Sequence, residues 1–229
     1  MKKLVLFDLD GTLLDTPKAI VETFTATFHA LKLNPCSEQS IRATIGMPLE
    51  KAFRLLTKIE NNDEIIQQAV KEYQVQFKKL ILPKAKDLLF PDVEDGLKIL
   101  LKEGFLLSIA TNKFYQSAHD ILTAAGLRSY FSLVLGADQV TRPKPDPEAG
   151  NLSLQKMNVS PENSIMVGDT TLDIYMAKSA GMRSIAVTYG IHSLQELKSS
   201  EPTWIADNFM EVISVIKDNV IVKEELKKC

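Results

Sequence analysis

Asp8 and Asp10 follow four apolar residues, Leu4-Val-Leu-Phe7, and lead into Gly11-Thr12. A short apolar run bounded by charge and glycine reads as a buried strand, which puts both carboxylates at its carboxyl end. Idle charge is costly there, so the pair points to chemistry. Other polar residues stand at the ends of similar runs: Thr111-Asn112 closes the run from Phe105, and Gly168-Asp169 follows Ser164 to Val167, with Asp173 four residues on. Lys144 sits in a loop, Arg142-Pro-Lys-Pro-Asp-Pro147, where three prolines fix φ around it. Three or four carboxylates, one lysine and two hydroxyls form a hard-oxygen set that suits Mg²⁺, and a magnesium ion implies a phosphate-bearing ligand.

These residues meet only if their strands lie side by side. From Leu89 onward strand-like runs alternate with helical ones: strands at 105–111, 133–136, 164–167 and 184–187, and helices near 92–103, 115–125, 146–157, 170–180 and 208–218. Such alternation implies a parallel sheet wrapped by helices, with the ligand site outside the carboxyl ends of the strands. The first strand belongs to that sheet by pattern, yet residues 16–82 read as all-helical. Asp15-Thr16-Pro17 offers a capping side chain and a proline at the first helical position, and Ile20, Phe24, Phe28 and Leu31 recur at helical spacing. Further helical pattern runs from about Ser37 to Leu56 and from Asp63 to Leu80. The expected fold is α/β, a doubly wound, Rossmann-like parallel sheet of residues 1–15 and 83–229 with an all-helical domain, 16–82, inserted after strand one. The sequence contains no internal repeat and no low-complexity linker.

Length and composition narrow the class. A chain of 229 residues can bury a real core without staples, and two cysteines, Cys36 and Cys229, suit a reducing compartment, so the cytoplasm is expected. The apolar run after Lys2-Lys3 ends after four residues, too short for a secretory signal. No segment approaches the roughly 18 apolar residues of a membrane span. With 27 basic against 29 acidic residues, no global field points to nucleic acid or to an anionic membrane. The basic run Lys223 to Lys228 is interrupted by Glu224 and Glu225 and reads as a solvated helix end. His29, His119, His192 and Cys36 have no metal-ligand spacing and read as structural. Oligomeric state is not written in the pattern.

Asp8-Leu-Asp-Gly-Thr12, Thr111, Lys144 and Gly168-Asp169-x-x-x-Asp173, in that order, resemble the four motifs of the haloacid dehalogenase superfamily of aspartate-nucleophile phosphatases. The helical insertion is similar to the cap domain of the phosphoglycolate phosphatase-like branch. The resemblance implies that Asp8 attacks phosphorus to form an aspartyl-phosphate. It makes Asp10 the general acid and base, and puts Asp8, Asp169 and the Asp10 backbone carbonyl on Mg²⁺ with Asp173 behind them. Thr12, Thr111 and backbone N–H groups near Asn112, where a helix begins, would bind the phosphoryl oxygens, and Lys144 would balance their charge. The implied substrate is a small phosphorylated metabolite.

Inside that superfamily Asp10 argues against a dehalogenase, which needs no acid for its leaving group. A phosphonatase would need a Schiff-base lysine, for which Lys32, Lys51 and Lys58 are candidates by location alone. A sugar-phosphate mutase resembling β-phosphoglucomutase shares Asp8 and Asp10. It usually has an apolar residue in place of Thr12 and an arginine in place of Leu49 of Gly46-Met-Pro-Leu49, so a hydrolase is favoured. Gly46-Met-Pro-Leu49 and Ala110-Thr-Asn-Lys113 look like phosphoglycolate phosphatases and the neighbouring pyrophosphatases and small nucleotide phosphatases. Pro91-Asp92-Val93 departs from the proline-glycine-valine usual there, and Asp92 is expected to cap the next helix. Arg42, Lys51 and Arg54 are candidates for holding a second anionic group of the substrate.

Overall fold

The computed structural model describes residues 2–59 and 62–220. After strand β1 (Lys3–Phe7) come four helices, α1 (Pro17–Ala30), α2 (Glu38–Arg42), α3 (Leu49–Thr57) and α4 (Asp63–Leu80). Then follow α5 (Val93–Lys102), β2 (Phe105–Ala110), α6 (Tyr115–Ala124), β3 (Leu133–Leu135), α7 (Glu148–Met157), β4 (Ser164–Gly168) and α8 (Thr171–Ser179). The chain ends in β5 (Arg183–Val187), α9 (Leu194–Ser199), β6 (Trp204–Ala206) and α10 (Phe209–Val220). All six strands are parallel, in the order β3-β2-β1-β4-β5-β6. The architecture is the expected α/β doubly wound sheet. Its order reverses at β1, and the crevice at such a switch point is where ligands bind.

β1 is central because its sequence tolerates nothing else. Leu4 to Phe7 are all buried, as a parallel strand covered by helices on both faces requires. Val5 and Phe7 pack into one core cluster, whereas Leu4 and Leu6 pack with Met166 and Met176 on the other face. Phe7 lies opposite Ile109 of β2 and Val167 of β4, a register that brings the ends of three strands level.

The helical insertion has its own aromatic core. The Phe24 ring of α1 lies 4.8 Å from Tyr73 of α4 and 4.9 Å from Phe53 of α3, centroid to centroid. The two connections joining this layer to the sheet are zipped together: Asp15 N donates to Leu88 O at 2.7 Å and Phe90 N to Leu13 O at 3.1 Å.

Several local expectations are corrected. The pattern from Ser37 to Leu56 is two helices, broken by a turn with Gly46 at φ +92°. Helix α9 and strand β6 were not expected. Thr16 caps nothing with its side chain, because its hydroxyl donates to Asp10 instead. Asp92 precedes α5 with φ 64° and makes no capping hydrogen bond; this left-handed backbone favours glycine, which gives the usual proline-glycine-valine pattern its physical reason. The basic run from Lys223 and Cys229 lie outside the described residues. Among the described residues no helix is long and apolar enough to cross a membrane.

Candidate active site

Asp8 begins where β1 ends, held to the neighbouring strand by its backbone N, which donates to Val167 O at 2.9 Å. Lys144 reaches the same point from its proline-bound loop. Its Nζ donates to Asp173 Oδ1 at 2.6 Å and lies 2.9 Å from Asp8 Oδ1. The second contact is a buried ion pair, so one ammonium serves both Asp8 and Asp173. The other oxygen of Asp173 accepts from Thr170 N at 3.0 Å and Thr170 Oγ1 at 2.7 Å, which caps α8 and fixes the carboxylate. Asp169 accepts from Thr12 Oγ1 at 2.7 Å and from Ile191 N at 2.9 Å.

Asp8, Asp169 and Asp173 are all buried, and each can place one carboxylate oxygen within 4.8 Å of the others. Two glycines permit the crowding. A Cβ on Gly11, which has φ +82°, would overlap Asp169 Oδ2, and one on Gly190 would overlap Asp169 Cβ. The electrostatic result is a strained set of acids. Burial pushes Asp8 up to about 6, against the pull of Lys144 and with a further push from Asp173. Burial, then Asp8 and Asp173, holds Asp169 well above the carboxylate range. Burial also works against the charge of Lys144, but Asp173 and Asp8 outweigh it and push the ammonium up. With all three ionised, three carboxylates would face one ammonium, and the raised Asp8 and Asp169 show the same excess of negative charge relieved by protons. The set therefore fits a divalent cation with oxygen ligands.

The other predicted residues are placed around this cluster with altered duties. The Asp10 carboxylate stands apart from it, accepting from Thr16 Oγ1 at 2.7 Å on one oxygen and paired with Lys113 Nζ at 2.9 Å on the other. Thr12 is fully buried and its hydroxyl is spent on Asp169, so its side chain faces a carboxylate where a phosphoryl contact was expected. Thr111 is buried at the end of β2 and lines the cavity described below. No helix starts at Asn112, since α6 begins at Tyr115. The Asn112 side chain is a clasp: Nδ2 donates to Gly46 O at 2.8 Å and Lys144 O at 3.0 Å, and Oδ1 accepts from Lys144 N at 2.9 Å.

Sequence reasoning missed Lys113 and Tyr189 as site residues. Lys113 pairs with Asp10 while its Nζ sits 4.8 Å from the ring centroid of Phe77 on α4, so one side chain spans sheet and insertion. Tyr189 donates to Thr12 O at 3.0 Å and packs edge-on against Phe90 of the return connection. The signal for Lys113 was its place at the end of Ala110-Thr-Asn-Lys113, and for Tyr189 only its position two residues after β5. Arg42 is held by Glu38 at 2.8 Å, Arg54 pairs with Asp63, and Lys51 is exposed; none lines the cavity. His192 accepts from Thr171 N at 3.1 Å, a structural contact as expected.

Between the strand ends and the helices lies a cavity of about 60 Å³. Asp8, Asp10, Thr111, Asn112 and Lys113 line one side, and residues of α1, α3, α4 and the Gly46 turn line the other.

A reversing parallel sheet with a buried aspartate–lysine–aspartate set at its switch point defines a class of α/β hydrolase with a cation-hungry acidic centre. The model of the haloacid dehalogenase-like hydrolases matches residues 5–187, and the chain belongs to that family. It is 49% identical over 213 residues to the probable phosphatase IndB of Dickeya dadantii, covering 93% of each chain. It is 33% identical over 220 residues to a phosphoglycolate phosphatase of Vibrio vulnificus, covering 93% of this chain and 96% of that one. The solved structure of a haloacid dehalogenase-like hydrolase from Bacteroides fragilis matches with a TM-score of 0.84 and 28% identity, over 93% of this chain and 100% of that one.

Proposed function

We propose that the protein is a Mg²⁺-dependent phosphomonoester hydrolase that acts on a small phosphorylated metabolite through an aspartyl-phosphate on Asp8. The observation that carries this reading is the buried cluster of three carboxyl groups, Asp8, Asp169 and Asp173, around the single ammonium of Lys144. Asp8, Asp169 and the Asp10 carbonyl would hold the ion, while Asp173 stays committed to Lys144 and Thr170. When bound, Mg²⁺ supplies charge screening that lets an anionic carboxylate approach an anionic phosphate.

The chain's own residues account for the rest. A carboxylate oxygen of Asp8 forms a bond to phosphorus as the ester P–O bond breaks, and Asp10 gives its proton to the departing alkoxide. Asp10, now a carboxylate steadied by Thr16 and Lys113, takes a proton from the water that attacks the aspartyl-phosphate. That step releases inorganic phosphate, regenerates the Asp8 carboxylate and restores the Asp10 acid. Lys144 holds Asp8 in place and offsets charge gathering on the phosphoryl oxygens. The inserted helices, residues 16–82, act as the cap that excludes water from the intermediate. The relative named as a phosphoglycolate phosphatase supports the phosphoester class.

Asp8→Asn is expected to lower kcat for a generic phosphate ester by about 10⁴-fold or more, the scale of losing a nucleophile, with unchanged circular dichroism. Retained turnover would sink the covalent route. Phosphorus NMR of the products separates hydrolysis, which yields free phosphate, from a sugar-phosphate mutase, which does not.

A further inference from the structure

Resting on the phosphoester reading above, we infer that the alcohol released at this site is uncharged and presents an apolar or aromatic face, so that esters carrying a second anionic group are poor substrates. The apolar lining around Asp8 and Asp10 comes from Ile20, Phe24, Met47, Leu49 and Ala52 of the insertion and from Phe114 of the β2–α6 connection. Its polar members away from the strand ends are neutral: the hydroxyls of Thr44, Ser117 and Tyr73. Burial, with Asp10 as a second cause, pushes the Tyr73 phenol up, so it stays a neutral hydrogen-bonding group.

The insertion does own cations, but they face elsewhere. Arg42 is taken by Glu38, Arg54 is taken by Asp63, and Lys51 is exposed off the cavity. Lys113 is the only cationic side chain on the cavity wall among the described residues, and Asp10 already meets its charge at 2.9 Å. A carboxylate or second phosphate here would lose its water and find no cation but Lys113, which is held between Asp10 and the Phe77 ring. A methylene or ring surface against Phe24 and Leu49 gains burial at no such cost.

The test compares three phosphoesters in the presence of Mg²⁺ by phosphate release: phosphoglycolate, its methyl ester, which differs by little but charge, and benzyl phosphate. Both neutral esters are expected to exceed phosphoglycolate in kcat/KM by about tenfold or more. Leu49 heads α3 and is half-buried at the cavity edge, so Leu49→Arg can present a guanidinium there, and this variant is expected to raise phosphoglycolate turnover relative to its methyl ester. Phosphoglycolate matching or exceeding either neutral ester in the unmodified enzyme overturns the inference. Release of phosphate from none of the three overturns the phosphatase reading itself, and the inference falls with it.

Discussion

The two walls of the cavity obey opposite rules. Behind Asp8 on the sheet side, Asp169 and Asp173 have each carboxylate oxygen tied by a hydrogen bond or ion pair, from Thr12, Ile191, Lys144 and Thr170. On the helical side the surface is rings and methylenes, with the hydroxyls of Thr44 and Tyr73 set among them. The sheet side is fixed by contacts between residues far apart in sequence, 157 between Thr12 and Asp169 and 177 between Thr12 and Tyr189. The helical side is fixed by packing of neighbouring helices. On the sheet side removing one partner strands a buried charge, whereas on the helical side a substitution costs packing volume.

That contrast makes a direct stability test. Lys144→Ala leaves Asp8 and Asp173 buried without their cation and is expected to cost about 3–5 kcal/mol. Phe24→Leu, on the helical wall, keeps an apolar side chain of similar reach and is expected to cost about 1–2 kcal/mol. Thermal unfolding of the two variants side by side checks the ranking. Equal costs would erase the distinction between the walls.

The acidic wall also predicts a pH dependence that the helical wall does not share. With Asp8 pushed up to about 6 in the fold, the folded state holds its proton where the unfolded chain, with a pKa near 3.9, has released it. Stability of the metal-free protein is therefore full below about pH 4 as far as Asp8 is concerned, and falls as pH rises through 6, by a few kcal/mol. Mg²⁺ is expected to abolish this decline and to add about 2.7 kcal/mol at a hundredfold excess over its Kd. Denaturant midpoints from pH 4 to 7, with and without Mg²⁺, read both effects. A flat metal-free profile would mean that the carboxylates are not stressed.

Lys113 joins the walls, so its loss tests whether they work together. Lys113→Met keeps the stem against Phe77 and removes the charge that meets Asp10. The expected stability loss is about 2–3 kcal/mol, because the cation–π contact is lost and the nearly buried Asp10 carboxylate is left without its cation. If closure of the helices and Asp10 are coupled through this side chain, kcat/KM falls about tenfold with kcat carrying most of the loss. A change confined to KM would leave Lys113 a contact of the substrate alone.

The sheet side was legible in sequence because its residues announce themselves. Charge at the end of a four-residue apolar run, Lys144 between prolines and Asp173 four residues after Asp169 are local patterns, and their strand ends converge as a parallel sheet demands. The partners of those residues were not legible. Thr12 faces Asp169, and Gly190 closes on the same carboxylate, through tertiary contacts with no spacing to reveal them. Thr16 was misread because a hydroxyl before proline looks like a cap, and only the fold shows Asp10 competing for it. Strand β6 is three residues long and only partly buried, so its pattern is too short to see. Helix α9 did leave a signal, the capping box Ser193 to Glu196. The break in the 37–56 pattern was likewise written in Gly46-Met-Pro48, where glycine permits φ +92° and proline starts the next helix.

The smallest expected effect lies at the connection between the two walls. Asp92 is exposed, adopts φ 64° and has no side-chain hydrogen bond to offset that conformation. Asp tolerates the left-handed region better than most residues but still pays part of the roughly 1–2 kcal/mol penalty for a Cβ there. Asp92→Gly relieves it, while the greater freedom of glycine in the unfolded chain gives some of the gain back. The net expectation is about 0.5 kcal/mol of added stability, or about 1–2 °C in Tm, measurable by calorimetry. The acid also stands just before Glu94 and Asp95 in the first turn of α5, where negative charge is favoured, so its own dipole contribution is partly duplicated. The substitution leaves both cavity walls untouched. Any change in turnover would therefore come through the connections at residues 13–15 and 88–92, and unchanged turnover with raised Tm would place the cost of Asp92 in backbone conformation alone.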